Sequence, residues 1–236
     1  AHLKPDHEQK SEAERAERLI EAGAGLQLSP NATRVLIGLG LRAALAARAI
    51  APDAVSVMSG PRGVELVRLP LDQSDPNAPY WVVHRADLQA ALAAEAAAHP
   101  LIELRLGCDL EHFTTEAEGV TVSLRQAETR HTERAAALIG ADGLWSAVRR
   151  QLATAPQPQF SGLIAWRGMR EDPVEAPRVQ LWMGGDAHLV TYPMAHRRQT
   201  NVVAISAGPW CDQGWSVAAT PAEASVPQNS TTARLE

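Results

Sequence analysis

The sequence predicts an α/β protein in two parts, a strand–helix domain followed by an antiparallel sheet. Three observations predict it. In Ala135–Arg150 (AAALIGADGLWSAVRR) an apolar run, Ala135–Ile139, meets the turn Gly140-Ala-Asp-Gly143, and a helical pattern opens at Ser146. Strand-like and helical runs alternate from Tyr80 to Gly143, with an antiparallel ribbon inserted. After Pro156 four strand-like segments follow one another with no helical pattern between them.

The strand–turn–helix reading of Ala135–Arg150 has a chemical consequence. Glycine lets a backbone pass close to a ligand, and Asp142 puts a pair of acceptor oxygens at the strand's carboxyl end. The helix just beyond offers free N–H groups that favour anionic oxygen.

Composition narrows the classes. The chain has 236 residues, 45% hydrophobic and 21% charged, enough to bury a real core in one or two domains. With 22 basic and 27 acidic residues its net charge is −5, and no basic run is present, which argues against nucleic acid or an anionic membrane as partner. The longest apolar segments are too short or too polar to span a bilayer, and the charged N-terminus has no signal-peptide pattern, so the expected location is cytoplasmic. Cys108 and Cys211 have no metal-type spacing and read as two thiols. Nothing sets an oligomeric state or a metal site.

In chain order, residues 1–13 read as a loose polar arm, although Ser11–Ile20 has helical propensity. Ser29-Pro30-Asn31 is a helix start, and Ala32–Leu39 has helical spacing. Gly38-Leu-Gly40-Leu-Arg-Ala43 matches G-x-G-x-x-A, but it follows a helical pattern where a phosphate loop needs a strand, so Gly40 reads as a C-cap. VSVM and VELVRLPL flank Gly60-Pro-Arg-Gly63 as a hairpin. Tyr80–Val83 is a short strand, Arg85–His99 a helix closed by Pro100, and Ile102–Leu106 a strand. Asp109–Thr115 and Val120–Leu124 pair through Glu116–Gly119. Phe160–Met169, Arg178–Met183, Ala187–Met194 and Thr200–Ser206 are the four later strands, and Trp166 and Trp182 are expected in the core. The expected divisions are residues 14–156, 157–216 and a polar tail at 217–236.

GADGLWSAVR resembles the Asp-Gly motif of the flavin-dependent aromatic hydroxylases, the group of salicylate, 3-hydroxybenzoate and para-hydroxybenzoate hydroxylases. Further segments carry the same resemblance: ERAERLIEAGAG (Glu14–Gly25), LQLSPNATRVLIGLGL, His84-Arg85-Ala-Asp87-Leu88, FSGLIAWRG and AHLVTYP. It covers about Glu14 to Glu223. It implies an FAD/NAD(P)-binding Rossmann-like domain, incomplete here, with an antiparallel substrate-binding sheet. The implied activity is hydroxylation of a small aromatic acid or phenol by FAD, NAD(P)H and O2 through a flavin hydroperoxide. The implied cofactor residues are Glu14 on the adenosine ribose, where a carboxylate accepts two hydroxyls, Ala24 and Gly25 against the flavin, Arg85 on the cofactor's polar oxygens, Leu110 near the adenine, and Asp142.

His188 and Tyr192 of AHLVTYP correspond to a histidine and a tyrosine beside the substrate phenol. On one strand they share a face, about 13 Å apart when extended, and a bulge would bring them closer. Histidine ordinarily titrates near neutrality, so it can take a phenolic proton, and the phenolate is the more electron-rich ring. Nothing before Glu14 supplies the G-x-G-x-x-G turn of the family, and no second glycine–aspartate motif follows Trp215. The alternative expectation is therefore a non-catalytic remnant, or a fragment that needs a partner chain.

Overall fold

A computed structural model describes residues 10–19, 25–152, 156–171, 177–194, 198–210 and 219–220. The first elements are β1 (Lys10–Glu14), β2 (Gly25–Leu28), α1 (Pro30–Gly38), α2 (Arg42–Ala46), β3 (Ala54–Ser59) and β4 (Val64–Pro70). Then come β5 (Trp81–His84), α3 (Arg85–Ala98), β6 (Ile102–Leu106), β7 (Cys108–Glu116), β8 (Gly119–Gln126), β9 (Thr129–Ala135) and α4 (Ala147–Gln151). The last four are β10 (Leu163–Glu171), β11 (Arg178–Met183), β12 (Ala187–Met194) and β13 (Gln199–Ala207).

The chain divides into two compact units. One comprises residues 1–20 and 93–159, the other 21–92 and 160–236. This division differs from the expected grouping of 14–156. The hairpin β3–β4 joins the later strands because β3 pairs in parallel with β11, from Ala54↔Arg178 to Ser59↔Met183. The late sheet is therefore mixed, in the order β10-β13-β12-β11-β3-β4, with every other pair antiparallel.

In the first unit β1 runs parallel to β6, with Lys10↔Ile102 through Glu14↔Leu106 in register. Residues 10–13 are thus strand, neither a loose arm nor a helix; a parallel ladder outweighs the helical propensity of S-E-A-E. β7, β8 and β9 form a three-stranded meander. On β8, Val120, Val122 and Leu124 alternate inward and pack with Cys108, Leu110, Phe113 and Leu138. β9 was not anticipated from TRHTERA, a polar edge strand exposed along most of its length.

The expected strand Ala135–Ile139 is a second correction. β9 ends at Ala135, and residues 137–143 belong to no ladder. A strand exists through its hydrogen-bonded neighbour, and none of the described strands is paired with this run. Ile139 is 87% exposed as a result.

The second unit is layered by β5. Its four residues are all buried, and period-two geometry sends them two ways. Trp81 and Val83 pack with Leu28, Leu41, Leu45 and Ala91 of the helical side. Val82 packs with Val179, Tyr192 and Met194 of the six-stranded sheet. Gly40 has φ +88°, and its N–H bonds the Ile37 carbonyl, as a helix-ending glycine does. Trp166 and Trp182 are half-buried on one register row through Ala204 and Leu189, on the opposite face of the sheet from His188 and Tyr192. No described helix is long and apolar enough to cross a membrane. Cys108 is a buried free thiol, and Cys211 lies outside the described residues.

Candidate functional site

The expected site residues fall in both units, and each set has its own geometry. In the first unit Glu14 stands exposed at the carboxyl end of the parallel pair β1–β6. That end of a parallel sheet is where nucleotides bind. One carboxylate oxygen accepts from the Ala16 N–H at 2.9 Å. Leu110 is half-buried, packs on the meander core and pairs with Leu124 next to a register shift in β7.

Asp142 follows the unpaired run 137–141 and turns its carboxylate onto the start of α4. Its oxygens accept from the Ser146 hydroxyl, from the Ala147 N–H at 2.6 Å and from the Val148 N–H at 3.2 Å. Ser146 in turn caps the helix by accepting from the Arg149 N–H at 2.9 Å. Burial acts to raise the Asp142 pKa, but the bonds from Ser146, Val148 and Ala147 together hold it below the usual carboxylate value. Gly140 has a packing reason of its own, since a Cβ there would come within 2.7 Å of Val148 Cβ.

In the second unit Arg85 opens α3 directly after the buried strand β5. Beside it, His84 Nδ1 accepts from the Ala86 N–H at 3.2 Å, and Asp87 is paired with Arg48 at 2.7 Å. Ala24 lies outside the described residues. Gly25 begins β2, and a Cβ on it would lie 2.5 Å from Tyr192 Cε2. The glycine is thus required by the protein's own packing.

His188 and Tyr192 lie on β12 with an unbroken register, His188↔Ile205 and Tyr192↔Asn201. No bulge shortens their separation, which stays at about 13 Å for a regular strand. Burial changes along this face. Tyr192 and Asn201 are 4% and 0% exposed, whereas His188 and Ile205 are half-buried. The Tyr192 hydroxyl donates to the Gly25 carbonyl at 2.6 Å, and burial pushes its pKa up to about 12 despite the Arg167 charge. Asn201, whose Oδ1 accepts from the Gly25 N–H at 2.9 Å, was missed by sequence reasoning. Its one signal is a polar residue within the apolar strand TNVVAIS.

The first unit pairs a two-stranded parallel sheet with a three-stranded meander, and in the second a glycine-led strand packs on a mixed sheet. The chain belongs to the FAD binding domain family, whose model matches residues 13–235. It is 37% identical over 204 residues to 3-amino-4-hydroxybenzoate 2-monooxygenase of Streptomyces cremeus, covering 83% of this chain and 50% of that protein. It is 32% identical over 198 residues to 3-hydroxybenzoate 6-hydroxylase of Klebsiella oxytoca, covering 80% of this chain and 49% of that protein. The fold is shared with Klebsiella pneumoniae HpxO, solved with FAD and uric acid, at a TM-score of 0.71 and 17% identity, over 89% of this chain and 59% of that one. The chain thus spans about half the length of the curated relatives it matches.

The residues present fit the cofactor that the family name implies. Glu14 is an exposed carboxylate at the carboxyl end of a parallel strand pair, and its two oxygens suit a ribose diol. Among the described residues no three His, Cys, Asp or Glu side chains form a metal site.

Proposed function

We propose that this chain contributes FAD-binding and substrate-binding surfaces to an NAD(P)H-consuming monooxygenase that hydroxylates a small aromatic acid or phenol. The observation that carries the reading is the family match over residues 13–235, with Glu14 at the carboxyl end of a parallel strand pair. The hydroxybenzoate chemistry named for the two sequence relatives supports the substrate class.

Bound FAD, reduced by NAD(P)H, supplies the activation of O2. The rest is done by side chains. Glu14 would accept the ribose hydroxyls, Arg85 would offer a cationic fork to the cofactor's oxygens, and Gly25 would border the flavin. Leu110 would meet the adenine, and Asp142 holds the start of α4 with its acceptors turned to N–H groups. His188, half-buried on the sheet, accepts the phenolic proton at an imidazole nitrogen.

The test supplies the protein with FAD, NAD(P)H, O2 and a panel of hydroxybenzoates and measures hydroxylated product. Product formed with NAD(P)H consumption supports the reading. No product from any phenol, alone or with a complementing chain, contradicts it.

A second reading, a fragment that works only with a partner segment, is favoured by one observation. The apolar run 137–139 has no ladder, and Ile139 is 87% exposed. Activity that arises only on adding such a segment selects this reading.

A further inference from the structure

Gly25 presents both of its backbone polar groups to two side chains of the sheet. Its N–H donates to Asn201 Oδ1 at 2.9 Å, and its carbonyl accepts from the Tyr192 hydroxyl at 2.6 Å. Tyr192 and Asn201 are direct partners across β12 and β13. One acceptor and one donor, held side by side, do for Gly25 what the next strand of a sheet does for its neighbour. The fit leaves no room for a side chain at this residue, where a Cβ would also come within 2.7 Å of Met194 Sδ.

Packing alone does not account for the asparagine. Asn201 is fully buried, and its Nδ2 has no hydrogen-bond partner. An unpaired buried donor carries a desolvation penalty that an apolar residue avoids, and the next four residues of β13 are Val202, Val203, Ala204 and Ile205. What the asparagine uniquely offers is the acceptor used by Gly25. Tyr192 is likewise committed, because its hydroxyl is spent on the Gly25 carbonyl inside the core.

We infer that Tyr192 and Asn201 are positioning residues that hold the Gly25 backbone where it borders the flavin. The inference rests on the FAD reading above. Tyr192 then acts through Gly25, and the substrate phenol is left to His188.

The experiment has two arms on the same chain. In the first, exchange of the Gly25 amide is followed with glycine-selective ¹⁵N labelling. Tyr192→Phe, which keeps the ring, and Asn201→Ala should each accelerate it at least about fivefold. In the second, FAD is titrated by flavin fluorescence. Tyr192→Phe should raise the FAD dissociation constant about tenfold, the order of one hydrogen bond. Tyr80→Phe, which removes a hydroxyl bonded to Gln27 and not to Gly25, should leave it unchanged. Unchanged Gly25 exchange in Tyr192→Phe overturns the inference. So does faster exchange with unaltered FAD affinity, which makes the clamp a matter of folding alone. A wild-type chain that takes up no FAD overturns the FAD reading and the inference together, and so is distinct from a failure of the variants.

Discussion

Arg48 and Asp87 form an ion pair in which the carboxylate is buried and the guanidinium is not. The N–O distance is 2.7 Å, with the Asp87 side chain 5% and that of Arg48 50% exposed. Asp87 Oδ2 has no partner, so Arg48 Nη1 on Oδ1 is what compensates the charge. Asp87 follows Arg85 by two residues on α3, so the pair anchors the start of the helix that carries the arginine proposed to bind the cofactor.

Arg48→Met should therefore destabilise the chain by about 1–2 kcal/mol, below the range for fully buried pairs because Arg48 is half solvated. Adding Asp87→Asn should recover part of that loss. Urea denaturation of the two single variants and the double variant measures it; additive losses would mean the pair is not coupled.

Arg85→Ala separates binding from folding. FAD affinity should fall about tenfold, the order of one charge-assisted contact, while the melting temperature of the FAD-free chain moves by no more than a degree or two. Equal FAD affinity in the variant would return Arg85 to a purely structural place at the start of α3.

Asp142 predicts a pH dependence. Its pKa is lowered from the ordinary 3.8, so the folded state holds the charged form better than the unfolded state does. That contribution is complete above the unfolded value and is lost as pH falls through the lower folded value. Asp142→Ala should cost about 1 kcal/mol near neutrality, as loss of a helix cap does. The gap between parent and variant should then narrow from about pH 4 downward. A gap that is constant from pH 7 to pH 2.5 would contradict the capping role.

Much of the fold was legible in the sequence where the pattern was local. VSVM and VELVRLPL around Gly60 and Gly63 became β3 and β4, and the alternation of Val120, Val122 and Leu124 placed β8. What escaped was long-range or polar. Lys10↔Ile102 and Ala54↔Arg178 are parallel pairings between distant segments, which no local pattern encodes. β9 is polar on both faces, so it carried no period-two signal. Ala135–Ile139 failed in the opposite way: its apolar pattern is that of a strand, but a strand also needs a neighbour. In the candidate site, single residues such as Glu14 and Asp142 could be named from motifs. The link from Gly25 to Tyr192 spans 167 positions and required coordinates.

His188→Ala should slow hydroxylation by ~10²-fold, the lower end for loss of a general base, while NAD(P)H oxidation continues and oxygen is diverted to hydrogen peroxide. Product formed per NAD(P)H consumed, with and without substrate, is the measurement. Coupling equal to the parent would make the histidine a structural member of the sheet.

The central claim is that this chain holds FAD, and its visible spectrum tests that most directly. Titrating the purified chain into FAD should shift the flavin absorption bands and quench the flavin fluorescence to saturation. Glu14→Ala should weaken the binding about tenfold, the equivalent of about 1.4 kcal/mol. A flavin spectrum that stays that of free FAD at every protein concentration, or a Glu14→Ala chain that binds as the parent does, would contradict the account.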